Sequence, residues 1–192
     1  MNIQLTNKKV QIYQSALKLI YEGGFHGSPM SKIAKEAGVA VGSIYHYFPS
    51  KEDLIVEIYW YCKEMLNIHV FHEKDDNLPY EIRFKNIWIK LVKFYRTNVE
   101  IFSFLEQFYG SPFYQEARIS VSKNKSERNS LINFLEEGKH INQLKNLNNR
   151  ILISTYIGPA ITLVRSCLYN NSSLDKLELD ELITIIWNGV KL

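Results

Sequence analysis

Apolar residues recur at helical spacing along almost all of the 192 residues, and no Asn-Gly or Asp-Gly pair sits between alternating runs. The spacing of Val10, Tyr13, Leu17 and Ile20 predicts a first helix that stops at Gly23-Gly24. A second helix follows, with Ser28 as its cap, Pro29 at the first helical position and Met30, Ile33, Ala34 and Ala37 on one face; Gly38 ends it. A third short helix over 41–48 is expected to bury Ile44, Tyr45 and Phe48. Pro49 breaks it, and Ser50 caps a longer fourth helix from Lys51 to about His72, with Glu52 and Asp53 in the first turn where the helix dipole favours them. After a polar loop at 73–79, helical patterns cover 79–96, 99–110 and 113–137, the last closed by Gly138. An Asn-rich connection at 139–147 leads to a helix capped by Asn148 and running to about Tyr169, and 170–173 lead into a final helix through Val190. The expected fold is all-α, about nine helices, without repeat or low-complexity tract.

Composition adds little by itself. With 46% hydrophobic and 22% charged residues, the chain has the make-up of an ordinary globule. The net charge of +3 is small, but it is unevenly placed: residues 1–51 carry six lysines (8, 9, 18, 32, 35 and 51) against two glutamates (22 and 36). Positive charge therefore gathers at one end, where a phosphate-facing surface would need it. The polar run 2–9 contains no secretory h-region, and the longest mostly apolar run, 151–164, is interrupted by Ser154, Thr155, Gly158, Pro159 and Thr162. A cytoplasmic protein without a membrane partner is expected. Cys62 and Cys167 match no metal-ligand spacing and read as reduced core thiols.

The second and third helices, joined through Ala37-Gly38-Val39, have the form of a helix-turn-helix. Gly38 permits the sharp turn, Val39 fills the angle, and Val41, Gly42 and Ser43 at the start of the third helix are free to reach base edges. Gly42 lets the backbone approach closely, and Ser43 offers a hydroxyl. The string Gly24-Phe25, then Ile33-Ala34-Lys35-Glu36-Ala37-Gly38-Val39, then Gly42-Ser43-Ile44-Tyr45-His46-Tyr47-Phe48-Pro49-Ser50-Lys51-Glu52-Asp53-Leu54 resembles the signature of the TetR/AcrR family of transcriptional regulators. The resemblance is close over roughly residues 7–60. It implies a three-helix DNA-binding domain at 1–52, followed by a larger ligand-binding and dimerisation domain at 53–192.

Carried over position by position, the resemblance implies that Val41, Gly42 and Ser43 face bases. Tyr45, His46 and Tyr47 fall where the family places an aromatic contact to phosphate or thymine, and Lys51 where it sets a lysine against the DNA backbone. The free N–H groups after Ser28 suit another phosphate. Two positions depart from the pattern. Ala40 stands where a capping Ser or Thr is usual, and Val41 is apolar where a polar or basic residue is common.

The second part of the chain is rich in aromatics. Most must be core, but 101–114 hold more of them than one buried stripe needs, which points to a pocket for an apolar or aromatic molecule. The candidate lining is Trp60, Trp88, Tyr95, Phe102, Phe104, Glu106, Phe108, Tyr109, Tyr156 and Arg165. A dimer interface is expected on the last two helices, from Ile157, Ile161, Val164 and Leu168 and from Leu179, Leu182, Ile183, Ile186 and Trp187; Gly158-Pro159 should kink the first of these helices. His69, His72 and Glu73 supply too few ligands for a metal site, and no cofactor motif or catalytic constellation occurs. The reading is a homodimeric, ligand-responsive repressor on a near-palindromic double-stranded operator, released by a small apolar or aromatic effector. The alternative is a DNA-binding protein whose C-terminal domain takes a protein partner instead.

Overall fold

The computed structural model describes residues 7–71, 77–115, 117 and 130–192. The described residues form helices α1 (Asn7–Gly23), α2 (Met30–Glu36), α3 (Val41–Tyr47), α4 (Lys51–Phe71), α5 (Tyr80–Thr97), α6 (Val99–Tyr109), α7 (Ser130–His140), α8 (Asn149–Asn170) and α9 (Lys176–Val190). The one extended pairing among them is a bridge between Leu144 and Lys191. The fold is all-helical, as the periodicity predicts. Of the long helix expected over 113–137, residues 116 and 118–129 lie outside the described residues, as do His72 and Glu73.

Two compact units make up the chain: Met1–Glu64 with Asn98–Lys125, and Met65–Thr97 with Ser126–Leu192. In the first unit α1 packs against α2 and α6, and α2 against α3. Ile12, Tyr13, Ala16, Leu17, Leu19 and Ile20 bury one side of α1, each large side chain worth about 1.5–3 kcal/mol relative to exposure. A polar clasp ties α1 to α4. The Tyr13 hydroxyl donates to Glu57 at 2.6 Å, Lys9 donates to the same carboxylate at 3.0 Å, and the Lys9 ammonium lies 5.1 Å from the centre of the Phe48 ring. Burial, then the Glu57 hydrogen bond, push the Tyr13 phenol well up, so it stays a donor throughout the ordinary pH range.

The second unit is organised on α5, which packs against α8 and α9. Trp88 of α5 and Tyr156 of α8 interlock: the indole donates to the Tyr156 carbonyl at 2.9 Å, and the Tyr156 hydroxyl donates to the Phe84 carbonyl at 2.7 Å. Trp187 of α9 closes this core, its ring 5.1 Å from that of Phe84. Tyr80 stacks on Phe134 of α7 at 4.7 Å and donates to its carbonyl at 2.9 Å. The loop after α7 is held against the end of α9 by Lys145 N–H to Val190 O and Leu192 N–H to Gln143 O.

Both helix caps in this half repay a comparison with the sequence. Asn148 caps α8 as expected, its side chain accepting from the Arg150 N–H at 2.8 Å. For α9 the periodicity does not disclose the cap, which is Asp175 in a reciprocal capping box with Glu178. The expected dimer stripe needs correction. Val164, Ile183, Ile186 and Trp187 are buried inside the unit, because α9 turns that face onto α5 and α8. Ile157, Ile161, Leu179 and Leu182 are half-buried and Leu168 is exposed. Large apolar residues left in solvent on the same helices include Ile151, Tyr169, Leu177 and Ile185. By length and mean hydropathy (1.5), α8 alone among the described helices could cross a bilayer, which the interrupted apolar run did not suggest; 28% of that stretch is buried within the protein.

Gly138, inside α7, makes room for Tyr80: a Cβ there would land on the phenol oxygen and ring. Alanine normally favours a helix over glycine by about 1 kcal/mol, whereas overpacking a core typically costs about 1–3 kcal/mol. Tyr80 is fixed by its stack and hydrogen bond, so Gly138→Ala is expected to lower stability by about 1–2 kcal/mol in urea unfolding. An unchanged or raised midpoint would show that Tyr80 can move aside.

Candidate nucleic-acid interface

The path to the site begins where α2 ends. Gly38 adopts φ +65°, its N–H bonds to the Lys35 carbonyl at 3.2 Å, and the next N–H, of Val39, reaches back to the Ala34 carbonyl at 3.0 Å. This pair of bonds is a Schellman stop, which satisfies the free carbonyls of α2 while reversing the chain. Nothing lies within 4 Å of where a Gly38 Cβ would stand, so the residue is required by its backbone conformation and not by space.

At the other end of α2 the expected cap is corrected. Pro29 holds the N-cap position without a side-chain bond, and α2 starts at Met30. Ser28 is buried, and its hydroxyl donates to the Gly24 carbonyl at 2.9 Å. It fastens the α1–α2 turn, and its side chain faces away from any DNA.

Only one side of α3 is committed to the core. Ile44 and the following Phe48 are fully buried, while Val41, Gly42, Ser43, Tyr45 and His46 are exposed. The expectation that Tyr45 belongs to the buried stripe is corrected: its side chain is 49% exposed. The reason is angular, since consecutive helix positions are about 100° apart and Ile44 and Phe48 take the inner face. Tyr47 is half-buried, its ring against His46 at 5.8 Å and Phe48 at 6.2 Å. Ala40 precedes α3 with no side-chain cap, as the sequence departure implied.

The chain then re-enters a helix through Ser50. Its hydroxyl accepts from the Asp53 N–H at 3.0 Å, and the Asp53 carboxylate takes the Ser50 N–H at 3.1 Å and hydroxyl at 2.6 Å. Ser50 was legible as the cap; the returning Asp53, three residues on, completes a box that the spacing could have signalled. Lys51, the first residue of α4, is half-buried and its ammonium donates to the Phe25 carbonyl. Burial moves its pKa down from the ordinary lysine value. Lys32 and Lys35 stand exposed on α2, while Lys18 pairs with Glu36 at 2.6 Å. The surface is thus a short helix with small and aromatic side chains, flanked by ammonium groups, suited to a polyanion with grooves.

The aromatic candidates for a ligand site fall in both units. Trp60, Phe102, Phe104, Glu106, Phe108 and Tyr109 belong to the first; Trp88, Tyr95, Tyr156 and Arg165 belong to the second. Trp88 and Tyr156 brace the α5–α8 core with their polar atoms, and Tyr95 is buried beside Phe94. Arg165 is exposed on α8 and Glu106 is half-buried. In the first unit Tyr59, which the sequence did not single out, is central: it stacks on Phe108 at 4.5 Å and meets Trp60 at 4.6 Å and Tyr109 at 6.2 Å. Tyr109 also meets Tyr114 at 5.3 Å. Both cysteines are free and buried, and burial pushes the Cys62 thiol up.

Residues 12–58 match the model of bacterial regulatory proteins of the tetR family, and residues 79–191 match that of a tetracyclin repressor-like C-terminal domain. The chain belongs to the TetR family of transcriptional regulators. It is 26% identical over 187 residues to an uncharacterized HTH-type transcriptional regulator of Haemophilus influenzae, covering 97% of each chain. A fatty acid metabolism regulator protein of Bacillus subtilis is 50% identical over 52 residues, which is 27% of either protein. Among solved structures, a TetR-family regulator of H. influenzae superposes with a TM-score of 0.83 at 24% identity over 97% of both chains. FadR of B. subtilis in complex with stearoyl-CoA superposes with a TM-score of 0.74 at 23% identity, over 94% of this chain and 98% of that one. As a TetR-family regulator the chain is a DNA-binding protein and not an enzyme.

The two faces of α3 can be separated by mutation. Ile44→Ala should cost about 2–5 kcal/mol of stability, as buried Ile-to-Ala changes do, while Tyr45→Ala should change it by less than about 0.5 kcal/mol. Chemical denaturation of the two variants checks this, and equal losses would mean that Tyr45 is held in the core.

Proposed function

We propose that this TetR-family chain is a homodimeric repressor that reads a near-palindromic operator with α3. The observation that carries the reading is the division of α3, with Ile44 and Phe48 buried and Val41, Gly42, Ser43, Tyr45 and His46 turned to solvent beside Lys51. In this reading Val41, Gly42 and Ser43 approach bases in the major groove, with Val41 suited to a thymine methyl. Tyr45, His46, Tyr47 and Lys51 bind the backbone, and the reading head lies within residues 1–52. The protein works in the cytoplasm, where its operator is.

A lone subunit would read one half-site. Two copies set two recognition helices about one DNA turn, roughly 34–36 Å, apart. The exposed apolar residues of α8 and α9 support this pairing: Ile185 is 68% exposed and Tyr169 83% exposed, and α8 is too apolar to stay wet. Arg165, Pro159 and the family match over 79–191 favour a protein partner over lipid for that helix. Leu168, Leu179 and Leu182 from the expected stripe are free to join this contact at its edge.

The effector is read as a small apolar molecule. The aromatic residues around Tyr59, Phe108 and Tyr109 support that chemistry, and the likeness to FadR bound to stearoyl-CoA makes a long-chain acyl-CoA the first probe to use. Effector binding would act on α4, which is covalently continuous with Lys51, and weaken operator binding; by linkage the operator must weaken effector binding by the same factor.

Binding to the duplex upstream of its own gene, titrated across a salt series, tests this reading. Selective binding with a steep salt slope is expected, and Lys51→Ala should reduce that slope by about one unit through loss of one phosphate contact. Stearoyl-CoA should release the complex. Failure to distinguish any duplex from random DNA would overturn the reading. Sedimentation should give a dimer that Ile185→Glu disrupts; a monomeric parent would contradict the pairing.

A further inference from the structure

The turn between α1 and α2 carries a residue with two engagements of different kinds. The ring of Phe25 is met edge-on by Phe104 of α6, centroids 5.9 Å apart at 77°, and by Phe113, 5.3 Å apart at 69°. The carbonyl of the same residue accepts from the Lys51 ammonium and, at 3.4 Å, from the Ser28 N–H. The rest of the turn is fixed around it. Gly24 sits at φ +66°, the Ser28 hydroxyl donates to the Gly24 carbonyl, and Gln107 of α6 donates to the Ile20 carbonyl at 3.4 Å. All of these residues belong to the first unit.

A lysine at a helix start has four rotatable bonds and loses that freedom when it grips a phosphate. Lys51 has lost part of it already. One of its three N–H donors is spent on Phe25, and the other two remain for an incoming anion. The carbonyl that orients the ammonium can move only if the turn moves, and the turn is wedged by two aromatic edges contributed from residues 104 and 113.

We infer that Phe25 is the positioning residue for Lys51, and that its seat between Phe104 and Phe113 couples α6 to the grip on the DNA backbone. The inference rests on the reading of Lys51 as a phosphate contact. It gives α6 its own route to the DNA, separate from the continuity of α4: a shift of Phe104 or Phe113 loosens Phe25, swings its carbonyl and frees the lysine.

The test is a double-mutant cycle on the full chain, using one duplex selected by the parent protein from a random pool. Phe113→Leu removes one edge at a half-buried position, and Phe25→Leu removes the wedged ring. Each should weaken binding by roughly 3–10-fold, the scale of one hydrogen bond to a charged group, and lower the salt slope toward that of Lys51→Met. Phe25→Tyr, which keeps the ring, should bind as the parent does. In a Lys51→Met background the Phe113→Leu change should cost nothing further. Equal losses with and without Lys51 would overturn the inference, because Phe25 would then be acting only as core. A parent protein that selects no duplex would instead overturn the DNA-binding reading itself, and this inference with it.

Discussion

A helix of seven residues cannot hold itself in water, because nucleation costs more than two turns of hydrogen bonds return. Everything at the DNA-facing end follows from how α3 is held. Ile44 and Phe48 sink wholly into the core, the left-handed turn at Gly38 fixes the angle at which α3 leaves α2, and the Ser50–Asp53 box restarts the chain as α4. With the inner face locked, the outer face needs no side chain for stability. Glycine, serine and exposed aromatics can occupy it, and those are residues that a groove can use.

The same economy governs the polar groups behind it. Tyr13, Lys9 and Glu57 join α1 to α4, and Ser28 and Gln107 satisfy carbonyls at the end of α1. A buried hydroxyl without a partner would cost on the order of 1–3 kcal/mol, so each is fixed by its neighbour as well as fixing it. The result is a reading head whose shape is set by several mutually dependent contacts. In the second unit that role falls to the Trp88–Tyr156–Phe84 interlock, which joins α5 to α8 through two main-chain carbonyls.

Much of this is legible in the sequence because it is local. Helix limits follow from glycine, proline and capping residues within a few positions of each end, so α1 to α4 and α8 fall within a residue or two of expectation. The matched string around Gly38 and Tyr47 carries the family assignment. What is hidden depends on long-range packing. A single apolar stripe does not say whether it meets its own chain or a partner, so Ile183, Ile186 and Trp187 read as interface and turn out to be core. Ser28 stands where a cap would, yet its hydroxyl finds a nearer carbonyl in the preceding turn. The contact between Lys51 and Phe25, 26 residues apart, leaves no trace in spacing at all.

The central claim is that two copies of α3 read one face of a duplex. Hydroxyl-radical footprinting of the duplex selected by the protein tests it most directly. The account predicts two protected patches related by twofold symmetry, about one helical turn apart. A single patch, or protection spread evenly along the duplex, would contradict it.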